Sequence, residues 1–150
     1  MNFSNFRDVI DFAIKREEEA IESYGDMLEQ TRMPGLKELL SELREEEKKH
    51  KKLLQNISSE KIETLKIKDV TDLKISDYLV EEPTGQDMNF QDLLIYAAKK
   101  EKKAADLYSQ LSERSEDPEL KKLFDFLVQQ EKSHKLKIEK EYDDHVLEWD

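Results

Sequence analysis

Residues 43–54 read Leu43-Arg44-Glu45-Glu46-Glu47-Lys48-Lys49-His50-Lys51-Lys52-Leu53-Leu54. Glu47 and His50 stand three positions apart, one turn of a helix, and so share a face. The same Glu-x-x-His spacing returns as Glu131-Lys132-Ser133-His134. The offset is 84 for both residues (131−47 and 134−50), and 84 also separates Glu17 from Glu101. Each half of the chain thus offers one Glu on a first helix and a Glu-x-x-His pair on a second.

The repeat extends outward from these six residues. Asn5-Phe6-Arg7-Asp8 corresponds to Asn89-Phe90-Gln91-Asp92, each an Asn N-cap followed three positions later by an acid that suits the positive end of the helix dipole. Ala13, Lys15, Ala20 and Tyr24 return as Ala97, Lys99, Ala104 and Tyr108, and Pro34 returns as Pro118, where proline fits a first helical turn. No gap is needed between residues 5 and 50. A duplicated helix pair predicts an all-α fold with helices over about 5–31, 35–57, 89–114 and 118–146. Short breaks at 31–34 and 115–118 make each pair an antiparallel hairpin.

The apolar stripes follow three- and four-residue steps. Helix 1 offers Phe6, Ile10, Ala13, Glu17, Ile21, Tyr24 and Leu28, and helix 2 Leu36, Leu40, Leu43, Glu47, His50, Leu54 and Ile57. Helix 3 offers Leu94, Ala97, Glu101, Ala104, Tyr108 and Leu111; helix 4 offers Leu120, Phe124, Leu127, Glu131, His134 and Ile138. In each, the Glu and His residues interrupt the stripe near its middle. Residues 58–88 have no counterpart and form the crossover. A site shared by two equivalent halves requires helices 1 and 3 to be antiparallel. The crossover must then run the bundle's length, about 40 Å for a helix rising 1.5 Å per residue. Ile75-Ser76-Asp77-Tyr78-Leu79-Val80 is the candidate for a short helix within it, ended by Pro83-Thr84-Gly85.

Composition narrows the function. A chain of 150 residues suggests one domain, 1–150, and a net charge of −11 argues against nucleic-acid partners. There is no cysteine, which removes thiolate metal sites and disulfides and fits the cytoplasm. No stretch approaches the roughly 18 apolar residues of a membrane span, and the first residues lack the basic and apolar regions of a secretory signal.

Glu17, Glu47, His50, Glu101, Glu131 and His134 are therefore candidate metal ligands. Four carboxylates balance the charge of two divalent ions, and each imidazole supplies one neutral nitrogen. Oxygen ligands with imidazole favour iron or manganese, with zinc also accommodated. In the runs Glu17-Glu18-Glu19 and Glu45-Glu46-Glu47, most members belong on the solvated surface. The repeat selects Glu47, which matches Glu131, over Glu46, which matches Gln130. Tyr24 and Tyr108 lie two turns beyond Glu17 and Glu101. Their hydroxyls would bond a ligand carboxylate, their rings would carry an electron, or they are plain core tyrosines. His145 and Trp149 lack repeat partners and read as structural or surface residues.

This set of residues resembles the rubrerythrin branch of the ferritin-like di-iron carboxylate proteins, over nearly the whole chain. The resemblance implies a ferritin-like four-helix bundle holding two irons per chain that react with O2 or hydrogen peroxide. It implies Glu17 and Glu101 as terminal ligands, Glu47 and Glu131 as the bridging pair, and His50 and His134 as one cap for each iron. Full-length rubrerythrins add a rubredoxin domain with four cysteines, so here electrons are expected from a separate donor such as a rubredoxin. They also carry an extra Glu three residues after the third-helix ligand, the place of Ala104, which brings this chain closer to a symmetric ferroxidase pattern. Space beside Ala20 and Ala104 is expected to admit the oxidant. The expectation is a di-iron oxidoreductase of ferroxidase or peroxidase type, with a homodimer as a possible assembly. The alternatives are iron storage or delivery within a larger assembly, and a metal-free helical interaction module.

Overall fold

The computed structural model describes residues 2–57, 70–80 and 89–145. Four α-helices dominate it: α1 Phe6–Gln30, α2 Pro34–Gln55, α3 Phe90–Arg114 and α4 Pro118–His145, with a 3-10 turn at Ile75–Tyr78. All four begin and end within two residues of the ranges expected from the caps. Asn5 and Asn89 each accept a hydrogen bond at Oδ1, from the backbone N–H of Asp8 and of Asp92, both at 2.9 Å. Asp117 Oδ2 accepts from the Leu120 N–H at 3.3 Å at the start of α4. Pro34 occupies the first turn of α2. Asn5→Ala and Asn89→Ala each leave one orphan donor at a helix start. Each is expected to cost about 1 kcal/mol, measured by chemical denaturation.

The hairpins α1–α2 and α3–α4 pack tightly within themselves, and the two hairpins face each other across the core. The contacts between them set the directions. Tyr24 meets Glu101 and Tyr108 meets Glu17 across α1 and α3, so numbers rise on one helix as they fall on the other. Glu42 meets Lys137, Glu46 meets His134 and His50 meets Glu131 across α2 and α4, with the same reversal. Both inter-hairpin pairs are antiparallel, as an approximate two-fold axis through the middle requires.

Two apolar clusters flank a polar middle layer. One contains Phe6, Ile10 and Ala13 of α1, Leu54 and Ile57, Leu107 and Leu111 of α3, and Leu120, Phe124 and Leu127 of α4. The other gathers Met27, Leu36, Leu40, Leu43, Leu94, Ala97 and Ile138 at the opposite end. Every core position expected on α2, α3 and α4 is buried. On α1 the stripe is displaced: Ile21 and Leu28 are half-buried, whereas Val9, Met27 and Arg16 lie inside. The displacement follows from α1 packing on two partners at once, so that its buried arc is wider than a single 3–4 step row.

The described part of the crossover closes the first cluster. Phe3 N–H donates to Leu73 O at 3.1 Å, Asn2 forms an isolated antiparallel bridge with Lys74, and Val70, Leu73 and Tyr78 are buried there. Arg114 grips Asp72 with both guanidinium NH2 groups, at 2.7 and 3.0 Å. The expected short helix is one 3-10 turn of four residues, Ile75–Tyr78, and not a six-residue helix. A run of Ser76-Asp77, whose side chains favour turns, suits a single turn better than a longer helix. Pro83-Thr84-Gly85 and Trp149 lie outside the described residues, as does the His145 side chain. Among the described residues, no helix is long and apolar enough to cross a membrane.

Candidate metal centre

Each helix contributes to the polar middle layer where its apolar stripe is interrupted. Glu17 comes from α1, Glu47 and His50 from α2, Glu101 from α3, and Glu131 and His134 from α4. All six are 2% exposed or less. The structure brings these sequence-selected residues into two groups, Glu17–Glu47–His50–Glu131 and Glu47–Glu101–Glu131–His134. Within each group the donor atoms lie within 4.8 Å of one another. Glu47 and Glu131 belong to both groups, whereas Glu17 and Glu101 belong to one each.

The contacts are reciprocal across the repeat. His50 Nδ1 is 2.8 Å from Glu131 Oε1, and His134 Nδ1 is 2.7 Å from Glu47 Oε1. The two imidazoles stack with centroids 5.6 Å apart and planes 15° from parallel. One oxygen of each Glu and the Nδ1 of each His nevertheless lack an aligned hydrogen bond. Six buried polar atoms without proper partners in one layer would be costly in a metal-free core. Close approach with poor mutual alignment is what donors aimed at a common point produce. That observation, with the hard-oxygen and imidazole chemistry, makes the set fit divalent transition metals.

Tyr24 and Tyr108 bind the carboxylate of the opposite half. Tyr24 Oη donates to Glu101 Oε1 and Tyr108 Oη to Glu17 Oε1, each at 2.5 Å. These bonds hold the two unshared carboxylates with their other oxygen free for the centre. Because α1 and α3 are antiparallel, two turns along one helix lands opposite the ligand of the other. Burial and the facing carboxylates, Glu101 for Tyr24 and Glu17 for Tyr108, raise both phenols well above their ordinary value, so they remain donors.

Protons carry the charge balance in the metal-free protein. Burial, then Glu47, pushes the Glu17 carboxyl well up; burial, then Glu101 and Glu47, does the same to Glu131. Burial would also raise Glu47, but the close approach of Glu17, His134 and His50 outweighs it and holds Glu47 well below the carboxylate range. Burial opposes the charged form of His134, yet Glu101 and Glu47 overcome it and push its pKa to about 11. The centre thus favours an ionised Glu47 beside a protonated His134, with Glu17 and Glu131 biased towards their neutral forms.

Glu46, read from the sequence as a surface member of a Glu run, has a role at this layer. Its carboxylate pairs with His134 Nε2, on the far side of the ring from the centre. Its repeat counterpart is Gln130, so the repeat argument that selected Glu47 also hid Glu46. Arg16 was likewise missed: its guanidinium donates to Tyr78 O and, at 2.8 Å, to Lys100 O, tying α1 to the crossover and α3. Ala104 is packed into the first apolar cluster, and Ala20 lies against the second. Neither lines the groove that reaches the ligand layer. That groove, of about 480 Å³, runs between α2 and α4 and includes His50, Leu53, Phe126 and Gln130.

The rubrerythrin family profile matches residues 8–142, which takes in all six candidate ligands and most of each of the four helices. The chain belongs to the rubrerythrin family. A hypothetical protein from Pyrococcus furiosus has a similar structure, with a TM-score of 0.76 and 31% sequence identity, over 95% of this chain and 90% of that one. No protein of curated function matches the chain. As a rubrerythrin-family domain, the four-helix bundle places its buried Glu and His residues where a di-iron site fits.

Proposed function

We propose that this rubrerythrin-family protein holds two irons, one in each ligand group, and oxidises Fe(II) or reduces O2 or hydrogen peroxide there. The observation that carries the reading is the pair of donor groups sharing Glu47 and Glu131, with six donor atoms unpartnered. Bound irons would supply electrons to the oxidant and polarise it. The chain's own residues shape the rest. Glu47 and Glu131 would serve both positions, Glu17 and Glu101 would each serve one under the hold of Tyr108 and Tyr24, and the flanking apolar clusters exclude bulk water. On α3, Glu101 is the one carboxylate in the two groups, because Ala104 stands where the family's additional Glu would be. This favours the symmetric, ferroxidase-like pattern over a ligand-switching peroxidase. Electrons for turnover come from a separate donor, for which a rubredoxin has the right chemistry.

The test is anaerobic Fe(II) loading of the metal-free protein, followed by O2 or hydrogen peroxide. Two irons per chain and oxidation faster than in buffer support the reading, and faster reaction with O2 than with peroxide supports the ferroxidase pattern. Binding well short of two per chain overturns it. Stoichiometric oxidation that never turns over with a reduced donor would leave iron storage or delivery as the function.

A further inference from the structure

The two halves of the ligand layer are near-copies, but the shell outside them is not. On the His134 side, Glu46 pairs with the outward ring nitrogen, Nε2. One turn further along, Lys137 Nζ of α4 is 2.8 Å from Glu42 Oε1 of α2, an ion pair that links the two helices. The repeat converts each of these positions on the His50 side. Glu46 becomes Gln130, Glu42 becomes Phe126 and Lys137 becomes Leu53, all at the offset of 84. Leu53 and Phe126 cannot form the ion pair. They stand 37% and 47% exposed and flank the groove over His50, with the Phe126 ring edge-on to the imidazole at 6.3 Å. Among the described residues, no hydrogen bond joins Gln130 to His50.

A carboxylate on the outer nitrogen of a ligating histidine fixes the tautomer, aims the inner nitrogen and raises its basicity. Gln130 lacks the charge to do the same for His50. Building on the metal-centre reading above, we propose that Glu46 is a positioning residue that makes the two metal positions unequal. The Glu47–Glu101–Glu131–His134 group fills first and holds its ion. The Glu17–Glu47–His50–Glu131 group fills second and exchanges its ion through the groove between Leu53 and Phe126. The unequal pair suits a protein whose substrate metal enters at one position beside a retained partner.

The test is anaerobic titration of the metal-free full chain with Co(II), followed by visible absorption and by proton NMR of the hyperfine-shifted imidazole N–H signals. The wild type is expected to bind in two steps, with one N–H signal exchanging slowly with solvent and the other fast. Glu46→Gln is expected to weaken the first step by about 10–100-fold and to make the slow signal exchange fast, leaving the second step in place. Gln130→Glu, which keeps Glu46, is expected to strengthen the second step and slow the other signal. The double variant Glu46→Gln/Gln130→Glu should reverse which signal is slow. Two equal steps in the wild type, or steps and N–H exchange unmoved by Glu46→Gln, overturn the proposal while leaving the metal centre intact. An absence of Co(II) binding overturns both.

Discussion

Glu131→Gln is expected to abolish the binding of a second metal ion while leaving the metal-free protein at least as stable as the wild type. The two effects have opposite signs because Glu131 serves different ends in the two states. With metal, it belongs to both donor groups, so its loss removes an oxygen from each position. Removing an outer partner of a ligand typically costs about 10–100-fold in affinity, and a shared ligand is expected to cost more. Without metal, burial and the nearby Glu101 and Glu47 push Glu131 well up, so folding biases it towards the neutral acid. Gln has nearly the same shape, carries no charge and needs no proton. It therefore keeps the neutral form that the fold favours without opening a cavity. Isothermal titration with Mn(II) or Co(II) and thermal melts of the metal-free variant measure the two effects together. Retention of two ions per chain would contradict the sharing of Glu131. A large fall in metal-free stability would mean that the group is structural.

The same residues show what sequence reading reaches and where it stops. The offset of 84 was enough to choose Glu47 from a run of three, because Glu131 has no acidic neighbours to confuse the match. It was enough to require antiparallel α1 and α3, since a two-fold arrangement of equivalent halves allows nothing else. It placed Tyr24 and Tyr108 on the ligand faces but could not name their partners. Each tyrosine shares a helix with one Glu and bonds the Glu of the other half, and only the packing of α1 against α3 decides that. Glu46 was concealed by the logic that worked elsewhere. A repeat reveals what the halves share, whereas Glu46, Glu42 and Lys137 matter because their counterparts differ. Listing the mismatched positions on ligand-bearing helices would have found them. Arg16 escaped because a cation on a helix reads as solvated. Its burial depends on carbonyls of the crossover and α3 that no local pattern predicts.

Metal loading is expected to raise the melting temperature strongly, and the rise should widen as pH goes from 6 to 8. Each site saturated at about 1,000 times its Kd contributes about 4 kcal/mol of stability by linkage. Two such sites contribute about 8 kcal/mol together, and for a chain of this size each kcal/mol corresponds to a shift of roughly 2–4 °C, so the expected rise is roughly 15–30 °C. The pH dependence has two sources with the same sign. His134 has a folded-state pKa raised from 6.5 to about 11, so its contribution to the metal-free protein is complete below pH 6.5 and is lost progressively as pH climbs towards 11. Glu17 and Glu131, also raised, contribute fully below their unfolded value of 4.5 and lose that contribution as pH rises through their folded values. Glu47 has the opposite sign, but its contribution is lost only as pH falls through its lowered value, outside this window. Metal binding must displace the protons that these groups hold, so affinity increases by about tenfold per pH unit for each proton released. The metal-free protein thus weakens with rising pH while the loaded one gains. Melts of both forms at pH 6, 7 and 8 measure the gap, and calorimetry in buffers of different ionisation enthalpy counts the protons released. A gap that stays constant across this range, with no proton release, would show that the ions bind away from the Glu47–His134 layer.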